Sequence, residues 1–249
     1  MEIHKPKPFH GWREFAKEVG IIVLGVLIAL AAEQTAEAFR WRQRVEQARQ
    51  AMRVELSQDD GLQAYARASI TRCLALQLDA IQRGIDSRLS VAQVMAVAKA
   101  YRPPYRTWES DAFRSAVASD VSNHMAAHEL AEWSGVYANI PYLGQVTEKE
   151  QELVNSLSDG LPFDRRISDA EADRMTRIVQ GLRRANANLD LWSRVILFGT
   201  VPIEAAPRAS DRKAVTADAR QLYGSCVVVP DLKPLPASDS QFDRAHREE

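Results

Sequence analysis

Cysteine is nearly absent from this chain. Two residues in 249, Cys73 and Cys226, are too few and too far apart for a zinc ribbon or a disulfide-dense scaffold. Excess charge of either sign is missing as well. Thirty-two Lys and Arg stand against 33 Asp and Glu, a formal charge of −1, which argues against a strongly basic nucleic-acid binder and an acidic tail protein. Eleven Gly and eleven Pro exclude collagen-like and low-complexity classes. No G-x-x-x-x-G-K-[ST], no G-x-G-x-x-G following a strand pattern and no G-x-S-x-G occurs, so no phosphate-cradling loop or nucleophile elbow is signalled. Strand signals are scarce too. The one run with β character is Cys226–Val229, stopped by Pro230, and a lone strand cannot make a sheet.

What the chain does have is an apolar run near its start. Val19, Gly20, Ile21, Ile22, Val23, Leu24, Gly25, Val26, Leu27, Ile28, Ala29 and Leu30, followed by Ala31 and Ala32, form fourteen residues without a polar side chain. At a rise of ~1.5 Å per residue the run covers ~21 Å, short of a hydrocarbon core of ~30 Å. The flanks compensate. Phe9, Trp12 and Phe15 precede the run, and Phe39 and Trp41 follow it. A helix from Trp12 to Trp41 rises ~43 Å, matching a bilayer with its headgroups. Aromatic rings favour that interfacial depth, and Lys17 can snorkel towards it. Two other readings compete. One is a cleaved signal peptide with an A-x-A site at Ala36-Glu37-Ala38; the helical pattern running through that site and the long N-terminal segment count against it. The other is a buried helix of a soluble domain, disfavoured by Lys17, Glu18 and Glu33 so close to the run.

The stretch GWREFAKEVGIIVLGVLIAL, with Trp41 downstream, resembles the N-terminus of a group of uncharacterised bacterial single-pass membrane proteins. Glu18, Gly25, Leu27, Ile28, Ala29, Leu30 and Trp41 carry the resemblance, which covers the first sixth of the chain. It implies a bacterial envelope protein and supplies no catalytic residues. Seven Lys against 25 Arg fits a GC-rich genome. Lys5, Lys7, Arg13 and Lys17 before the run nearly balance Arg40, Arg42, Arg44, Arg49 and Arg53 after it, so the positive-inside comparison is close. The basic N-terminal segment resists translocation, which favours an inner-membrane anchor with the C-terminal part in the periplasm.

Beyond the run the helical pattern continues. Trp41, Val45, Ala48, Met52 and Leu56 recur at spacings of three and four, ending near Asp59-Asp60-Gly61. Further helices are expected over 62–85, from a Ser90/Gln93 capping box to Tyr101, over 108–118 and over 122–139, the last closed by Pro141. A Thr147/Glu150 capping box opens another to Leu157. Ser168 with Glu171 opens the clearest one, whose stripe of Met175, Ile178, Val179, Leu182, Leu189, Trp192 and Ile196 predicts a buried face. Gly199 and Pro202 end it. The reading is all-α: an N-terminal tail (1–14), a transmembrane helix (15–39), a helical stalk (40–58), an extramembrane helical bundle (59–225) and a flexible C-terminal tail (226–249).

Few residues point to chemistry. His124 and His128 stand four apart, which on a helix puts two imidazoles on one face, but no third ligand is nearby and no metal is assigned. Tyr101, Arg102, Tyr105, Arg106 and Trp108 mix rings and guanidinium groups that could grip a phosphate, a glycan or a membrane surface, against the simpler reading of a rigid turn. Cys73 and Cys226 can form a structural disulfide if the domain is exported. Gly25, Ala29, Ala32 and Ala36 make a strip of small residues suited to helix–helix contact and hence to a homo-oligomer. The function read from these features is a membrane-anchored, non-enzymatic interaction or scaffold protein of the bacterial envelope. Its partners are the lipid bilayer and an unidentified protein, without nucleic acid or cofactor. The alternative is an anchored enzyme or ligand-binding domain using the 101–108 loop or the His124/His128 face.

Overall fold

The computed structural model describes residues 11–157, 159 and 165–232. Residues 1–10 and 233–249, which hold most of the expected terminal tails, lie outside them. The described chain is all-helical, with a single isolated bridge between Ser90 and Arg166 in place of any sheet. By its internal contacts the chain divides into two compact units between Gln47 and Ala48.

The first unit is carried by α1 (Trp12–Val54). Val19 to Leu30 are exposed along its whole circumference, Ile21 to 72%. Across Phe15–Asp86 the chain is continuously helical, and its most apolar 18-residue window has a mean hydropathy of 2.2 with none of that window buried. This is one helix long and apolar enough to cross a membrane.

The second unit is a helical bundle. It holds the end of α1, then α2 (Gly61–Asp86), α3 (Val91–Ala98), α4 (Asp111–Ala118), α5 (Ala127–Tyr137), α6 (Ile140–Ser156), α7 (Asp169–Thr200) and α8 (Ala209–Tyr223). The long helices α2 and α7 make the most extensive pairing. Between them lie Leu74, Leu78, Ile81 and Ile85 of α2 and Met175, Val179 and Leu182 of α7, with Val91 and Val94 of α3 completing the cluster. The capping boxes at Ser90/Gln93 and Ser168/Glu171 form with both reciprocal bonds, satisfying helix-start N–H groups that would otherwise lack partners. Cys73 of α2 and Cys226 are joined by a disulfide, Cα–Cα 5.2 Å. The chain stays on α2 beyond it. The Val228 N–H donates to the Ser69 carbonyl at 3.0 Å, and Val227 and Pro230 are buried. The loose tail expected from 226 is therefore held down as far as Pro230.

Several boundaries differ from the sequence reading. The helix does not end at Asp59-Asp60-Gly61. A π-helical turn, Glu55–Asp60, carries it straight into α2. Pro141 opens α6 at its first turn instead of closing a helix, because a missing N–H costs nothing where no intrahelical acceptor waits. Thr147 and Glu150 consequently sit inside α6, buried, and cap nothing. The expected helix 122–139 is broken. Asp120 is left-handed (φ 60°), Val121–His124 form a 3-10 turn, and Met125 is extended (φ −83°, ψ 155°) before α5 begins. Trp192 is half-buried, its ring edge-on to Tyr142 at 5.4 Å between centroids, so it borders the core instead of filling it.

The π turn depends on Gly61. A Cβ there would collide with the Leu56 carbonyl oxygen and meet Pro207 Cγ at 3.3 Å. In an ordinary helix interior Gly→Ala stabilises by ~1 kcal/mol. Here Gly61→Ala should destabilise by about 2 kcal/mol, read as a lowered urea midpoint. Gly135→Ala in α5, where a Cβ would meet nothing within 4 Å, should leave the midpoint unchanged or raise it.

Candidate functional site

Polar chemistry in the bundle concentrates at two buried places. The first joins three helices and one loop. Arg67 of α2 donates through Nη1 and Nη2 to both carboxylate oxygens of Glu150 on α6, at 3.0 and 2.8 Å. Its Nη2 also donates to Asn186 Oδ1 of α7 at 3.0 Å, and Asn186 Nδ2 donates to the Thr71 carbonyl at 3.1 Å. The Tyr101 hydroxyl donates to Glu150 Oε1 at 2.9 Å. Only 5% and 2% of the Arg67 and Glu150 side chains reach solvent. Burial first, and then the Glu150 charge, push the Tyr101 phenol far above its ordinary range, so it remains a proton donor to the carboxylate. Arg67 Nε is buried without a hydrogen-bond partner, and the remaining guanidinium donors and the carboxylate, sealed from water, clamp the elements together.

The second place is the π turn. Asp60 is fully buried, and its Oδ1 accepts the Glu109 N–H at 3.1 Å. Its Oδ2 has no hydrogen-bond partner. Glu55 Oε2 accepts the Ala112 N–H at 2.8 Å, capping the start of α4, where Ser110 makes no side-chain cap. Burial raises the Asp60 carboxyl from 3.8 to about 7, the Glu109 N–H opposes this, and the nearby charges of Glu55, Asp59 and Glu109 add to the rise. Tyr137 beside this turn is pushed up by burial and by Glu55. The sequence reading missed both places. Arg67 is one of 25 arginines, and nothing local marks it as buried.

The residues singled out from the sequence fall as follows. His124 closes the 3-10 turn and His128 belongs to α5, with extended Met125 between them, so the shared helical face does not exist. Among the described residues, no group of three or more His, Cys, Asp or Glu is placed to hold a metal. In the 101–108 loop, Tyr101 turns inward to Glu150 and Trp108 Nε1 donates to buried Thr147 Oγ1 at 3.0 Å. The Arg102 carbonyl accepts the Tyr223 hydroxyl at 2.7 Å. The loop is pinned at both ends, while Tyr105 and Arg106 between them are left exposed, Tyr105 to 57%. Glu129, next to His128, pairs instead with Arg49, which holds its carboxyl below the usual range. Gly25, Ala29, Ala32 and Ala36 lie exposed on α1, and a Cβ at Gly25 would meet nothing within 4 Å.

On α1, just beyond the apolar run, Glu33, Glu37, Arg40, Trp41 and Arg44 line an open cavity of about 290 Å³. Trp41 Nε1 donates to Glu37 Oε1 at 3.4 Å, and the Arg44 guanidinium lies 4.9 Å from the Trp41 ring centroid. Arg40 Nε donates back to the Ala36 carbonyl at 3.4 Å.

No family model matches the chain, and no curated protein and no solved structure matches it. What can be said of its class comes from the fold: an all-helical protein with one candidate membrane-spanning helix followed by a helical bundle.

Removing one partner of a buried ion pair strands the other's charge. Arg67→Met should therefore cost ~3–5 kcal/mol in chemical denaturation, and the double variant Arg67→Met/Glu150→Leu should recover a large part of that loss. Asp60 makes the opposite kind of prediction. Its folded-state carboxyl is raised, so the folded protein binds the proton more tightly than the unfolded chain, and that stabilisation fades as pH climbs from 3.8 to about 7. Asp60→Asn keeps an acceptor for the Glu109 N–H and removes the charge. Melting curves across that window should show a flatter pH dependence and, above neutrality, a stability higher by about 2 kcal/mol.

Proposed function

We propose that this chain is a single-pass, membrane-anchored protein of the bacterial envelope. It holds a helical bundle at the inner membrane, where the bundle contacts a protein partner without catalysing a reaction. The observation that carries this reading is the fully exposed apolar circumference of α1 from Val19 to Leu30. A surface of that extent is too costly in water unless lipid or protein covers it. The buried-helix alternative requires this run to lie inside a core, and none of its most apolar window is buried.

The periplasmic assignment of the bundle is supported by the Cys73–Cys226 bridge, since such bonds persist in oxidising compartments and are rare in the cytosol. The lipid bilayer is the partner this reading requires. A second copy packed on the Gly25–Ala29–Ala32–Ala36 strip extends it, because small residues let two backbones approach closely. The enzymatic or ligand-binding alternative is less favoured, although Arg102, Tyr105 and Arg106 of the 101–108 loop stay exposed. The His124/His128 face is broken, and Tyr101 and Trp108 are committed to α6.

Protease added to spheroplasts should degrade the bundle while leaving a cytosolic marker intact. Thiol alkylation before and after reduction should show Cys73 and Cys226 blocked until reductant is added. A chain recovered in the soluble fraction without detergent or processing would overturn the anchor. A protected bundle with free thiols would reverse the orientation.

A further inference from the structure

We propose that the face of α1 formed by Arg40, Trp41 and Arg44 is a binding site for the phosphate of an anionic phospholipid. The proposal rests on the membrane-anchor reading and adds a lipid headgroup specificity to it.

Depth is the first argument. The apolar run ends at Ala32, and Arg40 lies eight positions further along the sequence, ~12 Å along the helix axis. Long side chains on a helix lean towards its N-terminus, and Arg40 does so, its Nε donating to the Ala36 carbonyl. That places the guanidinium ~6 Å beyond the end of the apolar run, within the headgroup layer that flanks the hydrocarbon core. Trp41 leans the same way, its indole N–H directed to Glu37 Oε1. Its ring lies at the depth that interfacial tryptophans favour.

Chemistry is the second. Arg44 sets its guanidinium over the Trp41 ring, 4.9 Å from the centroid. A guanidinium held against an aromatic face keeps a planar fork of N–H donors that suits a phosphate. The cavity between these side chains, about 290 Å³, is open on the side away from the helix. No second protein wall encloses a free anion there among the described residues, whereas a bilayer would supply both the wall and a high local concentration of headgroups. The lining also holds two carboxylates, Glu33 and Glu37, whose charges oppose an anion and which the paired guanidinium groups of Arg40 and Arg44 must outweigh. Glu37 already accepts the indole N–H, and Glu33 is seven positions before Arg40, ~10 Å deeper along the axis. Arg42 points elsewhere: at 100° per residue it falls on the face of α1 opposite Arg40 and Arg44. The site also gives a physical use to basic residues on the C-terminal flank of the apolar run, where the positive-inside rule disfavours them if that flank is translocated.

The test compares equal charge changes on opposite faces. The full chain, its Arg40→Gln and Arg44→Gln variants and the opposite-face Arg42→Gln are extracted from membranes in polymer-bounded nanodiscs, and the co-extracted lipids are quantified. Wild type and Arg42→Gln should be enriched in phosphatidylglycerol over the bulk membrane. Arg40→Gln and Arg44→Gln should each weaken phosphatidylglycerol retention by roughly fivefold, with the disulfide and far-UV spectrum unchanged. Excess inorganic phosphate should not strip the lipid; if it does, the face reads free phosphate and the lipid assignment falls. Equal losses in all three variants would mean diffuse charge attraction and no site. A chain found in membranes without any enrichment overturns this inference alone, while a chain found soluble overturns the anchor reading beneath it.

Discussion

A guanidinium sealed from water needs a carboxylate, and Arg67 finds one 83 positions away on α6. Both charges are buried, so the cost of separating them is large, and every element that touches the pair is held to its position. Glu150 fixes the rotation of α6. Asn186 bridges Arg67 to α7 and bonds the α2 backbone at Thr71. Tyr101 draws the end of the α3 segment inward. The aliphatic cluster of α2, α3 and α7 supplies most of the buried apolar area, but aliphatic contacts tolerate sliding. A bidentate pair does not, because its hydrogen bonds accept one alignment. The ion pair sets the register that the apolar core then fills.

How much of this was legible in the sequence depended on whether the signal was local. The capping boxes at Ser90 and Ser168 are written within four residues and formed as read. The stripe of α7 is periodic over many turns and is buried along Met175, Val179, Leu182 and Leu189. Thr147 and Glu150 carry the same local signature as a cap, yet Pro141 had already started the helix, and distant Arg67 and Trp108 claimed their side chains. Asp59-Asp60-Gly61 looks like a stop. It is passed because Glu55 and Asp60 spend their carboxylates on the backbone of residues 109 and 112. The inward turn of Tyr101 and the break at Met125 are likewise products of tertiary contacts that no window of sequence contains.

The two units of the chain expose their apolar groups differently. In the bundle, large aliphatic side chains are buried and many arginines pair with carboxylates, as with Arg49, Arg88, Arg165, Arg183 and Arg194. Along the apolar part of α1 the aliphatic groups face outward on every side. Backbone groups there are satisfied within the helix itself, the condition that hydrocarbon imposes. Within the first unit the sequence changes character from the apolar run ending at Ala32 to the arginine-rich turns that begin at Arg40.

The disulfide has a mechanical meaning. It joins residues 153 positions apart and ties the chain after α8 to a helix that continues α1 with only a π turn between them. Tension applied between α1 and residues beyond Cys226 would travel along α2 to Cys73 and cross the sulfur bridge. The intervening helices α3 to α8 form a closed covalent loop that carries none of that load. Stretching the molecule from those two ends could not extract them, and its extension would be capped by the short path through the bridge until the bond was reduced.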